Sequence, residues 1–142
     1  MKNGYNIPCN IAQTLNLIGD KWTLLILHQL MIEHATYKDI QDSLSGIPTN
    51  LLADRLKFLE TEELITVALY QSNPPRYRYT LTQRGADLAD VFHSLFLWGE
   101  RNLQQCHKHL THIECGHSIE LQYYCNQCGK TVSRDELLVT GE

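Results

Sequence analysis

The chain has 142 residues, 43% hydrophobic, 20% charged and 8% aromatic, a composition that fits one ordinary globular domain with a small appendage and excludes a disordered or fibrous chain. No apolar run approaches the roughly 18 to 20 residues that span a bilayer, and the N-terminus lacks the pattern of a signal peptide, so a cytoplasmic protein without a membrane partner is expected. Twelve Lys and Arg against sixteen Asp and Glu give a formal charge of −4, so contact with a polyanion would have to come from locally placed basic residues.

From residue 10 to 31, Ile11, Leu15, Ile18, Trp22, Leu25, Ile26 and Leu30 recur at helical spacing, and Gly19-Asp20 interrupts them. Asp20 reads as the N-cap of a second helix over 21–30. A third helix is predicted over 37–44, with Tyr37, Ile40 and Leu44 on one face, ending at Ser45-Gly46. A fourth runs from Thr49 to Glu62. At 100° per residue with Leu52 as zero, Leu56 falls near about 40° and Leu59 near about −20°, a buried stripe; Asn50, Ala53, Asp54 and Lys57 lie opposite. Two short helices joined by a Gly-containing turn form a helix-turn-helix pattern. The period then changes to two: residues 64–70 and 76–81 are β-prone around Asn73-Pro74-Pro75, predicting a hairpin whose return strand carries Arg76 and Arg78 on one face. Residues 83–105 read as one long closing helix, apolar on more than one side, which buries one face in its own core and another in a second subunit. The expected fold is mainly α with a β-hairpin wing, a winged helix-turn-helix over residues 1–104.

Composition changes near Gln104. Four of the five cysteines follow it, and with an odd count and no secretion signal they favour metal ligation over a disulfide framework. His112-Ile-Glu-Cys115-Gly116 and Cys125-Asn-Gln-Cys128-Gly129 are both ligand-x-x-ligand-Gly, the pattern of a knuckle whose tight turn aims two side chains at one ion. Residues 105–142 are therefore expected to form a small zinc ribbon with a structural Zn held by His112, Cys115, Cys125 and Cys128. His117, His109 and Cys106 are alternatives for the fourth position, and free redox thiols are the competing reading of Cys-x-x-Cys.

The run Ile11-Ala12-Gln13-Thr14-Leu15 followed by Ile18-Gly19-Asp20-Lys21-Trp22-Thr23-Leu24-Leu25 resembles the opening of the HxlR-type bacterial transcription regulators. Leu51-Leu52-Ala53-Asp54-Arg55-Leu56-Lys57, Pro75-Arg76-Tyr77-Arg78-Tyr79-Thr80-Leu81-Thr82 and Trp98-Gly99-Glu100-Arg101 are similar too, so the resemblance covers roughly residues 9 to 101 in unbroken order. It implies a dimeric winged-helix repressor or activator of bacterial promoters, and for Cys9 it implies a sensor of oxidants or electrophiles. Two positions depart from the family's usual pattern: Pro8 precedes Cys9 instead of following it, and Asn50 stands where an Arg is common near the start of the recognition helix.

With the fourth helix in the major groove of double-stranded DNA, Thr49, Asn50, Ala53 and Lys57 are the expected readers. Asn50 suits adenine, Ala53 a thymine methyl, and Lys57 a phosphate or guanine. Arg76 and Arg78 suit phosphate or minor-groove contact, since residues 71–82 carry no acid. Asp54 is awkward on this face, and Arg55, nearer the buried stripe, is expected to form a structural salt bridge. The functional expectation is a homodimeric regulator at a palindromic promoter site, redox-responsive through Cys9, whose place before a helix favours the thiolate. The alternative is a zinc-dependent protein-interaction adaptor whose winged helix does not bind DNA. No Gly-rich phosphate loop, nucleophile–base set or paired carboxylate points to an enzyme.

Overall fold

The helical pattern broken at Gly19-Asp20 becomes two helices in the computed structural model, which describes residues 4–141: α1 (Asn10–Ile18) and α2 (Thr23–Met31). The Asp20 carboxylate accepts from the backbone N–H of Trp22 at 3.1 Å and of Thr23 at 3.2 Å, and it also bonds the Thr23 hydroxyl, so the expected cap is built, with the helix starting at Thr23 rather than residue 21. Thr36 opens α3 (Tyr37–Ser43) with a capping box closed by Asp39. Its hydrogen bond holds the Asp39 carboxyl below the ordinary value.

Gly46, at φ +90°, makes the turn into α4 (Thr49–Thr61), a conformation side chains rarely adopt. The start of α4 is tied to α3: the Tyr37 hydroxyl donates to the Thr49 carbonyl at 2.8 Å and Gln41 Nε2 to the Thr49 hydroxyl at 3.0 Å. The predicted stripe of Leu52, Leu56 and Leu59 is buried, in one core with Ile26, Leu27, Ile40, Leu64, Ile65 and Phe92. As the sequence suggested, Arg55 is structural: its guanidinium lies 3.5 Å from Asp20, and over the Phe58 ring.

The wing is an antiparallel pair, β1 (Ile65–Ser72) and β2 (Pro75–Leu81), running in register from Ile65 opposite Leu81 to Leu69 opposite Tyr77. Gln71 then faces Arg76, so Tyr70 is the extra residue of a bulge. The chain before α3 extends the wing's base, with the Tyr79 amide donating to the Ala35 carbonyl at 2.8 Å and Thr36 bridged to Arg78.

One expectation is corrected. The closing helix is not continuous from residue 83 to 105 but divides into α5 (Gln83–Ala86) and α6 (Ala89–Asn102). Thr82 caps α5 by accepting from the Gly85 amide, while its own hydroxyl donates to the Glu63 carbonyl and its amide to that of Leu64. The first turn is thereby pinned to the base of the wing, and the chain tightens at Leu88, whose amide bonds Gly85 three residues back.

The described residues form two compact units, divided after Phe92 within α6. In the second unit Glu100 of α6 accepts from the Leu110 amide at 2.7 Å, which ties the back half of the helix to the tail. The tail itself holds a bridge between Thr111 and Ser118, the short pair β3 (Tyr123–Cys125) and β4 (Lys130–Val132), and a 3₁₀ turn at Arg134–Glu136.

Candidate nucleic-acid interface

The face of α4 opposite its leucine stripe is open along its length. Thr49, Asn50, Ala53, Asp54 and Lys57 are all exposed, so the helical wheel sorts this element correctly. Thr49 departs from its expected part, because both its carbonyl and its hydroxyl already take hydrogen bonds from α3, and its first task is to anchor the helix N-terminus. Asn50, one residue on, is exposed in that anchored first turn. Arg55 is drawn away from this face by Asp20, which leaves Lys57 as the exposed cation of the helix.

On the wing, Arg76 and Arg78 are exposed on β2. The period of two puts both on one face, and the bulge brings the Tyr70 ring 5.5 Å from the Arg78 guanidinium, which presets that side chain. Between the wing and the start of α3 lies a cleft of about 660 Å³ bordered by Lys38, Asp39, Tyr70, Arg76 and Tyr77. Burial pushes the phenols of Tyr37 and Tyr79 above the ordinary value, so both stay neutral. Sequence reasoning missed Lys38 and Tyr70. Lys38 was hidden because it belongs to the first helix of the motif, which periodicity places but does not orient, and Tyr70 because a bulge leaves no mark in an alternating pattern.

Cys9 is exposed and extended at the residue before α1, and its carbonyl accepts from the Gln13 amide in the first helical turn. Two helices carry exposed apolar side chains: α1 with Ile11 and Leu15, preceded by Ile7, and α6 with Val91, Leu95 and Trp98 at helical spacing.

The tail cysteines come together in pairs. His112 Nδ1 lies 3.4 Å from Cys115 Sγ, and the amides of Cys128 and Gln127 and the Cys128 thiol bond the Cys125 sulfur, which lowers that thiol from its ordinary value. Among the described residues no three His, Cys, Asp or Glu side chains are gathered closely enough to hold an ion, so the expected four-ligand set stands as two preformed pairs. Of the alternatives for the fourth position, Cys106 lies 3.8 Å from His109 Nδ1, and His109 lies 3.6 Å from Glu100.

Residues 17–107 match the family of HxlR-like helix-turn-helix proteins. The chain belongs to that family. It is similar to an uncharacterized HTH-type transcriptional regulator of Mycobacterium bovis, 31% identical over 127 residues that cover 87% of this chain and 80% of the relative. Among solved structures, that of PA1607, a candidate transcription factor, has a TM-score of 0.82 and 25% identity, covering 96% of this chain and 97% of that one. The redox regulator HypR in its oxidized form has a TM-score of 0.63 and 25% identity over 68% of this chain and 100% of its own. These relatives are regulators rather than enzymes, and no helix among the described residues is long and apolar enough to cross a membrane.

Proposed function

We propose that this chain is a DNA-binding transcription regulator that acts as a homodimer on a palindromic promoter site. The observation that carries the reading is the open face of α4, where Asn50, Ala53 and Lys57 are exposed while the helix start is held by Tyr37 and Gln41. A rigidly held helix N-terminus with a side-chain amide at its tip suits major-groove readout, in which Asn pairs bidentately with adenine and Ala contacts a thymine methyl. Thr49 keeps a part as a backbone-positioning residue. Arg76 and Arg78, on an acid-free stretch of wing, supply charge for phosphates despite the chain's net −4.

The homodimer is supported by the exposed apolar side chains on α1 and α6, the latter an i, i+4, i+7 stripe of Val91, Leu95 and Trp98. Two-fold symmetry would set half-sites about one helical turn, roughly 34 Å, apart. Cys9, exposed at the threshold of α1, is placed for an oxidant to reach it, and its oxidation would alter the spacing of the two recognition helices through α1.

Fluorescence anisotropy with the DNA upstream of the chain's own gene tests this reading. Wild type is expected to bind with an affinity that falls steeply with salt and exceeds that for a scrambled duplex. Asn50→Ala is expected to cost about 1–3 kcal/mol and to relax the preference at one base pair per half-site. Equal, salt-insensitive binding to both duplexes would sink the proposal and move the chain toward an adaptor role. Cys9→Ser, compared with wild type under oxidant, tests the redox part: identical release from DNA in both would remove it.

A further inference from the structure

The tail uses one six-residue device twice. In residues 112–117 the Gly116 amide donates to the His112 carbonyl at 2.8 Å, and in 125–130 the Gly129 amide donates to the Cys125 carbonyl at 2.8 Å. Gly116 and Gly129 sit at φ +71° and +67°. Each device is closed by strand pairing at its ends: His112 donates to the His117 carbonyl with Thr111 bridged to Ser118, and Cys125 pairs with Lys130 at the mouth of β3 and β4. His112 thus corresponds to Cys125, Cys115 to Cys128 and Gly116 to Gly129. Only a residue tolerant of positive φ closes such a turn while leaving the two preceding ligand-type side chains on one side of it.

We propose that these two knuckles close on a single zinc ion held by His112 Nδ1 and the sulfurs of Cys115, Cys125 and Cys128. Nitrogen and sulfur ligands at the usual zinc bond lengths, about 2.0 and 2.3 Å, stand about 3.5 Å apart on a tetrahedron. His112 Nδ1 and Cys115 Sγ are already 3.4 Å apart, so the first pair needs almost no rearrangement. The same geometry favours His112 over His109, since His109 is turned to Cys106 and Glu100 while His112 already faces Cys115.

A second, independent observation points to a metal. No side chain from residue 103 to 141 is buried; Ile113, Leu138 and Val139 are almost fully exposed, and β3 and β4 have three residues each. A segment below about 40 residues with no apolar core needs a staple, and its cysteines are unpaired as thiols. Since the two ligand pairs are assembled separately, the ion would do the remaining work of drawing one hairpin to the other, so that metal binding supplies the tail's folding free energy. Four protein ligands leave no open position, and the centre would be structural.

Full-length protein purified without added metal is expected to contain about one zinc per chain by elemental analysis. Replacement of that zinc by Co(II) is expected to give the visible bands of a tetrahedral site with thiolate charge transfer. Cys115→Ser and His112→Ala should lose most of the metal, and Cys106→Ser should keep all of it. His112→Cys guards against simple misfolding, since it should retain one Co(II) per chain with stronger charge-transfer absorption. Protein with no metal, or with thiols titrating as a Cys125–Cys128 disulfide, would overturn the proposal. So would a zinc content that survives both His112→Ala and Cys115→Ser.

Discussion

In the first unit the chain is organised round Ile26, Leu27, Ile40, Leu52, Leu59 and Ile65, side chains that water scarcely reaches, whereas from residue 103 to 141 the backbone carries hairpins and turns with no buried side chain at all. Both regions have regular hydrogen bonding, so hydrogen bonds are not what separates them. Each fully buried aliphatic side chain contributes about 1.5–3 kcal/mol, and a region without any must find that free energy elsewhere. A body with such a core can hold a recognition helix rigidly on its own. A tail without one depends on whatever its chemically distinctive side chains can bind.

The sharpest way to break this contrast is to truncate one apolar residue in each region. Leu59→Ala is expected to cost about 2–5 kcal/mol, read from the denaturant midpoint. Ile113→Ala, at a side chain 98% exposed, is expected to stay within about 0.5 kcal/mol. Equal effects would mean that the tail buries Ile113 in solution.

Within the body, Asp20 joins two levels of organisation, capping α2 and pairing with Arg55 of α4. Asp20→Ala is expected to cost about 2–3 kcal/mol, since it strips a cap and strands a largely buried guanidinium. Asp20→Asn keeps an acceptor for the two amides and should cost less; denaturation of both variants orders them. Thr36→Ala removes one half of the capping box of α3 and is expected to cost about 1 kcal/mol by the same measurement.

That cap also carries a pH signature. The Asp39 carboxyl is held low first by the Thr36 hydrogen bond, so its folded-state value lies below its unfolded one. Its contribution to stability is present above the unfolded value of about 3.9 and is lost as pH falls through the folded value. In Thr36→Ala the Asp39 titration, followed by NMR, should move up toward the ordinary carboxylate range. The smallest expected effect lies on the wing, where Arg76→Ala should lower the salt slope of DNA binding by about one while leaving the sequence preference unchanged.

Much of the body was legible in the sequence because its periods are strong. The stripe of Leu52, Leu56 and Leu59, the alternation of β2 and the cap at Asp20 depend on neighbours within a few residues. The long closing helix was misread for a related reason. Nothing local in residues 83–105 forbids a continuous helix, and the break at Asp87-Leu88 comes from Thr82 bonding Glu63 and Leu64, a contact made across the base of the wing.

For the site, the sequence by itself determined which residue types stand where: a polar face on α4, two arginines on β2, and two copies of ligand-x-x-ligand-Gly. These follow from helix and strand geometry and from the tight turns glycine permits, all of which are local. Only the tertiary structure decided what those residues are left to do. It spent Thr49 on anchoring α4 and Arg55 on Asp20, and set Tyr70 against Arg78. Such choices depend on partners far apart in the chain, whose positions packing alone sets.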